Sequence, residues 1–139
     1  MSWKAAFRAP AQEQALPELR RRVQERLRGE GAPAAVVDNA GLLISELTHN
    51  AVAATAGGRE VRVEAEGTAR GVRLQVECDA NRDLVGLVRA LEASGVLPSP
   101  ESERGRGLWL ILNLSEDLQV QRGENGLVRV SLIVKGEQA

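Results

Sequence analysis

Residues 42–79 read LLISELTHNAVAATAGGREVRVEAEGTARGVRLQVECD, and the change of period inside that stretch decides the fold. Leu43, Ile44, Leu47 and Ala51 recur at helical spacing and describe a core-facing stripe. Gly57–Gly58 is a strong helix stop. Beyond it, REVRVEAEG (59–67) and GVRLQVECD (71–79) alternate apolar and polar residues with period two, joined by Thr68, Ala69 and Arg70. That pattern predicts an antiparallel hairpin.

The same two periods organise the rest of the chain. SWKAAFRA at 2–9 reads as a short edge strand, interrupted by Pro10. Leu16, Leu19, Val23 and Leu27 place a helix over Gln12 to Arg28, closed by GEGAP. Pro33 suits the first turn of the next helix, whose apolar periodicity runs from Val36 to about Ala56. After the hairpin, LVGLVRALEAS (84–94) returns to helical spacing, and GVLPSPESERGRG (95–107) has the composition of a loop. LWLILNLSED (108–117) predicts a short helix starting near Leu108, and a second hairpin turns at Glu124–Asn125–Gly126. Strands grouped against segregated helices describe an α+β fold, a two-layer sandwich of a mixed or antiparallel sheet covered on one face by helices. With no repeat, linker or low-complexity tract, residues 1–139 are expected to form a single domain.

Composition narrows the function. At 43% hydrophobic and 27% charged residues, the chain has the balance of a globular protein rather than a disordered one. A formal net charge of −1 gives no basic field for nucleic acid, and the few aromatic residues (Trp3, Phe7, Trp109) form no base-stacking platform. No run of about 18 apolar residues suggests a membrane span, and the N-terminus lacks the apolar core of a secretory signal. One cysteine and one histidine are too few soft ligands for zinc. Cys78, in an apolar strand-like run, reads as a core residue, and the lone thiol suits a reducing cytoplasm.

Against that background the polar residues of the second helix stand out. Glu46 and Asn50 are i and i+4, one above the other on one helix face. A solvated face or a buried hydrogen-bonded pair would account for them equally well on this segment alone.

Two further features stand in a fixed order after SELTHNAV. VECDANRD has an aspartate leaving a strand, and ERGRGLWLI has glycines opening a helix. Taken in order, with matching intervening elements and length, the three resemble the GHKL ATPase fold shared by DNA gyrase, heat-shock chaperones and histidine kinases. Among these, the chain most resembles the short, stand-alone anti-sigma-factor serine kinases of the RsbW-like group. The resemblance implies ATP and Mg²⁺ as cofactors and gives each residue a role. Asn50 would be the metal ligand and Glu46 the catalytic base that orients and deprotonates an attacking hydroxyl. Asp79 would accept the adenine amino group, a charge-assisted bond worth about 1.5–3 kcal/mol. Gly105, Arg106, Gly107 and Leu108 would form the phosphate-binding start of a helix, and Arg104 could add a phosphate contact. Pro98 to Arg104 would be a lid over the nucleotide.

Three positions depart from the family pattern. Ala53 and Ala54 follow NAV where relatives show Arg-His, and Ala80 follows Asp79 where a glycine is common nearby. Leu127 stands where a threonine hydroxyl would join the adenine water network. Loss of one neutral hydrogen bond costs about 0.5–1.5 kcal/mol, at most roughly tenfold in affinity. The resemblance therefore implies a cytoplasmic ATP-binding regulator that phosphorylates a serine on an anti-anti-sigma (STAS-type) partner and holds a sigma factor, as a homodimer. Its rival is a degenerate module of the same fold that binds a partner without turning over ATP.

Overall fold

The computed structural model describes residues 2–54, 59–79, 103–122 and 127–136, with side chains at all of these except 50–54, 79, 103–108 and 122. Strand β1 (Trp3–Pro10) leads through a 3₁₀ turn (Glu13–Ala15) into helices α1 (Leu16–Gly29) and α2 (Ala34–Ala54). The hairpin β2 (Glu60–Thr68) and β3 (Gly71–Asp79) follows, and then helix α3 (Glu103–Leu114) and the hairpin β4 (Ser115–Arg122) and β5 (Leu127–Val134). The sheet order is β1-β2-β3-β5-β4, and every pairing among the described strands is antiparallel. The expected α+β architecture is therefore present, with the sheet antiparallel rather than mixed. The segment read as a helix at 84–94 lies outside the described residues, as do most of the expected lid, the helix stop at 57–58 and the turn at 124–126.

Period-two alternation separates the two faces of the sheet. Val61, Val63 and Ala65 of β2 and Val72, Leu74, Val76 and Cys78 of β3 are buried toward the helices. Full burial of an aliphatic side chain of this size is worth about 1.5–3 kcal/mol. The other face carries charges paired across strands. Lys4 meets Glu64 at 3.4 Å, Arg129 meets Glu77 at 2.8 Å, and Arg62 reaches both Glu60 and Glu77.

The helices cover the apolar face by the stripes the sequence predicts. Leu19, Val23 and Leu27 of α1 and Val37, Ala40, Leu43, Ile44 and Leu47 of α2 are all buried. Pro17 sits in the first turn of α1, where its missing N–H has no partner to lose. At Gly41 of α2 an added Cβ would collide with the Gln24 side chain of α1. That amide donates to the Val37 carbonyl at 3.1 Å and pins α1 onto α2.

Two boundaries differ from expectation. The last helix begins at Glu103, not near Leu108, so Gly105 and Gly107 lie inside its first turns. Glu103 is an acid at a helix N-terminus, where the macrodipole favours it and offsets part of the poor propensity of the two glycines. The helix also ends at Leu114, and Ser115 to Asp117, read as helical, belong to β4. Ser115 hydroxyl donates to the Ile111 carbonyl while its backbone pairs with Val134, so sheet pairing overrides the helical spacing. A register shift between Glu116 and Gln119 places Asp117 at φ 54, a left-handed conformation that Asp tolerates better than most residues.

Chain direction gives the sheet two distinct ends. At one end, Asn39 Nδ2 donates to the Lys135 carbonyl at 2.9 Å, and Lys135 N–H donates to the Leu114 carbonyl at 2.9 Å. These bonds tie the start of α2, the end of α3 and the end of β5 together. From there α2 runs to its C-terminus at the other end, where β3 finishes and Asp79 pairs with Leu127. Ile111 and Leu114 are buried in the core and α3 packs on α2, so the N-terminal end of α3 points back toward that same end.

Candidate functional site

Asn39, Leu43, Glu46 and Asn50 lie at i, i+4, i+7 and i+11 along α2 and make one ridge. Asn39 and Leu43 are buried, Asn39 against the end of β5, so the ridge faces the α3 side of α2. Glu46 is half-buried where the ridge emerges from the core. Asn50 follows one turn later on the same ridge, in the last turns of the helix. Thr48, by contrast, is wholly buried, and its hydroxyl donates to the Ile44 carbonyl at 2.6 Å, a local structural bond. His49 is exposed, with Nδ1 2.9 Å from Glu13 Oε1 of the 3₁₀ turn. Glu46, Ser45 and His49 share a surface groove with Glu13, Leu16 and Arg20, where Arg20 Nη1 donates to Ser45 Oγ at 3.0 Å.

The other expected residues fall at the same end of the fold. Asp79 is the last residue of β3, and Gly105, Arg106, Gly107 and Leu108 occupy the first half of α3. The topology thus gathers the C-terminal turns of α2, the C-terminus of β3 and the N-terminal turns of α3, three chain ends with different chemistry. The first four N–H groups of α3, Glu103 to Arg106, have no partner within the helix, and Gly107 comes just after them. Arg104, expected in the lid, is also helical. Residues 98–102 of the lid lie outside the described residues, as does Ala80.

Register adds something that motif spacing did not. Cys78 is 5% exposed and pairs with Val128, which is 1% exposed, so the last core-facing positions of β3 and β5 are a thiol and a valine. Asp79 and Leu127 pair one step further on, at the alternate register position. The signal was in the sequence: counting by two from Val72 reaches Cys78, not Asp79. The Glu13–His49 pair and the groove beside it had no such signal, because 36 residues of helix and connection separate the partners.

The donor set suits a hard divalent cation that arrives with a triphosphate. A carboxamide and a carboxylate one turn apart offer oxygen donors, and Mg²⁺ keeps water and phosphate oxygens for its remaining positions. Among the described residues no group of three or more His, Cys, Asp or Glu side chains gathers into a protein-only metal cage. No helix among them is long and apolar enough to cross a membrane.

Comparison with known proteins agrees with this layout. No curated protein sequence matches the chain. Among solved structures, a chain of the SiaB–SiaC complex from Pseudomonas aeruginosa superposes with a TM-score of 0.67 at 19% identity, covering 92% of this chain and 87% of that one. At that identity the likeness establishes the fold. The family model for the histidine kinase-like ATPase domain matches residues 9–133, from the end of β1 into β5. That span takes in all three motifs and nearly every element described above, and the chain belongs to the histidine kinase-like ATPase family.

Proposed function

We propose that the chain is a cytoplasmic ATP-binding regulator of the anti-sigma-kinase type, which transfers the γ-phosphoryl group of Mg-ATP to a serine of an anti-anti-sigma partner. The observation that carries this reading is the α2 ridge: half-buried Glu46 and, one turn on, Asn50, continue a line of buried residues at the end where β3 finishes and α3 begins. Asn50 would hold Mg²⁺ through its side-chain oxygen while phosphates and water complete the shell. The N–H groups at the start of α3 would bind phosphate oxygens, with Arg106 and the glycines allowing close approach. Glu46 would take the proton of the incoming serine hydroxyl, which becomes the attacking oxygen as the phosphorus–oxygen bond to ADP breaks. The neighbour's structure is that of a two-protein complex, which supports a role for this fold in engaging a protein partner. A homodimer that also holds a sigma factor belongs to the same reading.

A second reading keeps the fold and the partner but not turnover. Leu127, an aliphatic residue beside Asp79 in register, favours it. Incubation with Mg-ATP labelled at the γ-phosphate, alone and with an anti-anti-sigma-type protein from the same genome, separates the two. Label on a partner serine that disappears with Glu46→Gln supports the kinase. Tight partner binding without label or ADP formation supports the module.

A further inference from the structure

β1 lies at one edge of the sheet, and its pairing with β2 fixes what that edge presents. One step beyond the Pro10–Glu60 pair, Ala11 N–H donates to the Arg59 carbonyl opposite it. Hydrogen-bonded pairs alternate along an antiparallel ladder, so Trp3, Ala5, Phe7 and Ala9 direct their backbone groups to β2. Lys4, Ala6 and Arg8 turn theirs to the open edge. Arg22 of α1 reaches the Arg8 carbonyl at a long 3.4 Å, in agreement with that phase.

The side chains along this edge are basic on both faces. On the outer face Lys4 and Arg8 are exposed, and each also reaches back to a carboxylate of β2, Glu64 at 3.4 Å and Glu60 at 3.8 Å. On the helix side the guanidiniums of Arg22 and Arg26 lie 5.5 and 5.8 Å from the ring centroids of Phe7 and Trp3. β1 itself holds no carboxylate. Such charges, with Pro10 at the strand end, keep an edge from pairing with its like. A second copy would bring only the same cations.

We infer that the β1 edge is a docking site for an extended acidic segment of a partner protein, which adds to the sheet as a strand through the backbone of Lys4, Ala6 and Arg8. The charges that turn away a second copy fit such a segment. Side chains alternate along a strand, so acids at every second residue face Lys4 and Arg8, while apolar residues cover Trp3, Ala5 and Phe7 on the helix side. Exposed ion pairs are individually weak, so the partner's carboxylates displace Glu64 and Glu60 at little cost, and the main-chain bonds carry the attachment. The inference does not depend on nucleotide binding.

The probe is a fluorescein-labelled peptide of alternating glutamate and valine, about nine residues long, with a lysine–valine peptide as its control. Fluorescence anisotropy with the full chain at low salt should show saturable binding of the acidic peptide, with a Kd below about 1 mM and at least about tenfold tighter than the control. Ala6→Pro removes an outward N–H and leaves every charge in place, so it should weaken binding about tenfold. Lys4→Glu together with Arg8→Glu should reverse the preference between the two peptides. The inference is overturned if the acidic peptide does not bind saturably, if both peptides bind equally, or if folded Ala6→Pro binds as tightly as the wild type. If Ala6→Pro does not fold, amide exchange in the wild type decides in its place: the peptide should slow it at Lys4, Ala6 and Arg8, and unchanged exchange there overturns the inference. A wild-type dimer that Ala6→Pro dissociates would assign the edge to a second copy, and that result also overturns it.

Discussion

The two ends of the sheet are built from different materials. At the Lys135 end, polar groups are spent on holding elements together. Asn39 and Leu114 bind the backbone of Lys135, the Thr68 hydroxyl donates to the Gly71 carbonyl at 2.8 Å in the β2–β3 turn, and Arg70 and Arg73 both reach Asp117 of β4. Trp3 lies over Gly67 there, with the guanidinium of Arg26 5.8 Å from its ring centroid. At the other end, α2, β3 and α3 bring Glu46, Asn50, Asp79 and a helix N-terminus toward one place. The polar side chains at the first end answer structural needs, and their identities follow from what they bond. Glu46 at the second end is half-buried, on the ridge that Asn39 and Leu43 begin in the core. The polar contacts hold the first end together, and the second end is where the proposed chemistry would take place.

Variants at the two ends should accordingly fail in different assays. The largest effect is expected from Glu46→Gln, which should lower phosphoryl transfer by about 10²–10⁴-fold, because a general base acts in the transition state. Nucleotide affinity and melting temperature should stay near wild type. Retained turnover would remove Glu46 from the role of base.

Asn39→Leu should do the reverse. It leaves the partly buried Lys135 carbonyl without its side-chain donor, at a cost of about 1 kcal/mol, the low end for a group that loses its partner. Chemical denaturation should show that loss with the Mg-ATP affinity of the folded protein unchanged. A loss of affinity as large as the loss of stability would mean the two ends are not separable.

Gly67→Ala should cost no more, about 1 kcal/mol, at the low end of the penalty for overpacking. The new Cβ would fall 2.3 Å from Trp3 Nε1, but Trp3 is only half-buried and can shift. A change in tryptophan fluorescence with a small drop in stability is the expected signature, and an unchanged spectrum would place Trp3 elsewhere.

The smallest effect lies on the surface of α1, where Arg21 bonds both Glu18 and Glu25. The hydrogen bond from Arg21 holds the Glu18 carboxyl below its ordinary value of 4.5. A lowered folded-state pKa contributes stability above the unfolded value, which is lost as pH falls through the folded one. Arg21→Ala should therefore destabilise slightly at neutral pH, and the difference from wild type should vanish under strongly acidic conditions. A difference that persisted there would point to packing of the arginine stem instead.

Much of this fold was legible because its two periods are clean. Leu43, Ile44 and Leu47 at helical spacing, and Val61 to Cys78 at spacing two, fixed which faces meet. The glycines of α3 misled at its N-terminus, since Gly105 and Gly107 mark a loop only where nothing else favours the helix. Ser115 to Asp117 misled at its C-terminus, since pairing with β5 is a tertiary fact that local propensity does not contain. In the site, Glu46 and Asn50 were legible as a pair from their spacing, but the burial of the ridge beneath them was not. Cys78 was legible as a core residue from the same alternation, and it is buried there.

The separation of the two ends is tested most directly by an amide NMR titration of the wild-type protein with Mg-ATP. The account predicts saturable shifts at Glu46 to Asn50, Cys78, Asp79, Leu127, Val128 and Glu103 to Leu108, with Asn39, Thr68, Ser115 and Lys135 unmoved. Shifts confined to the Lys135 end, or a spectrum that Mg-ATP leaves unchanged, would contradict it.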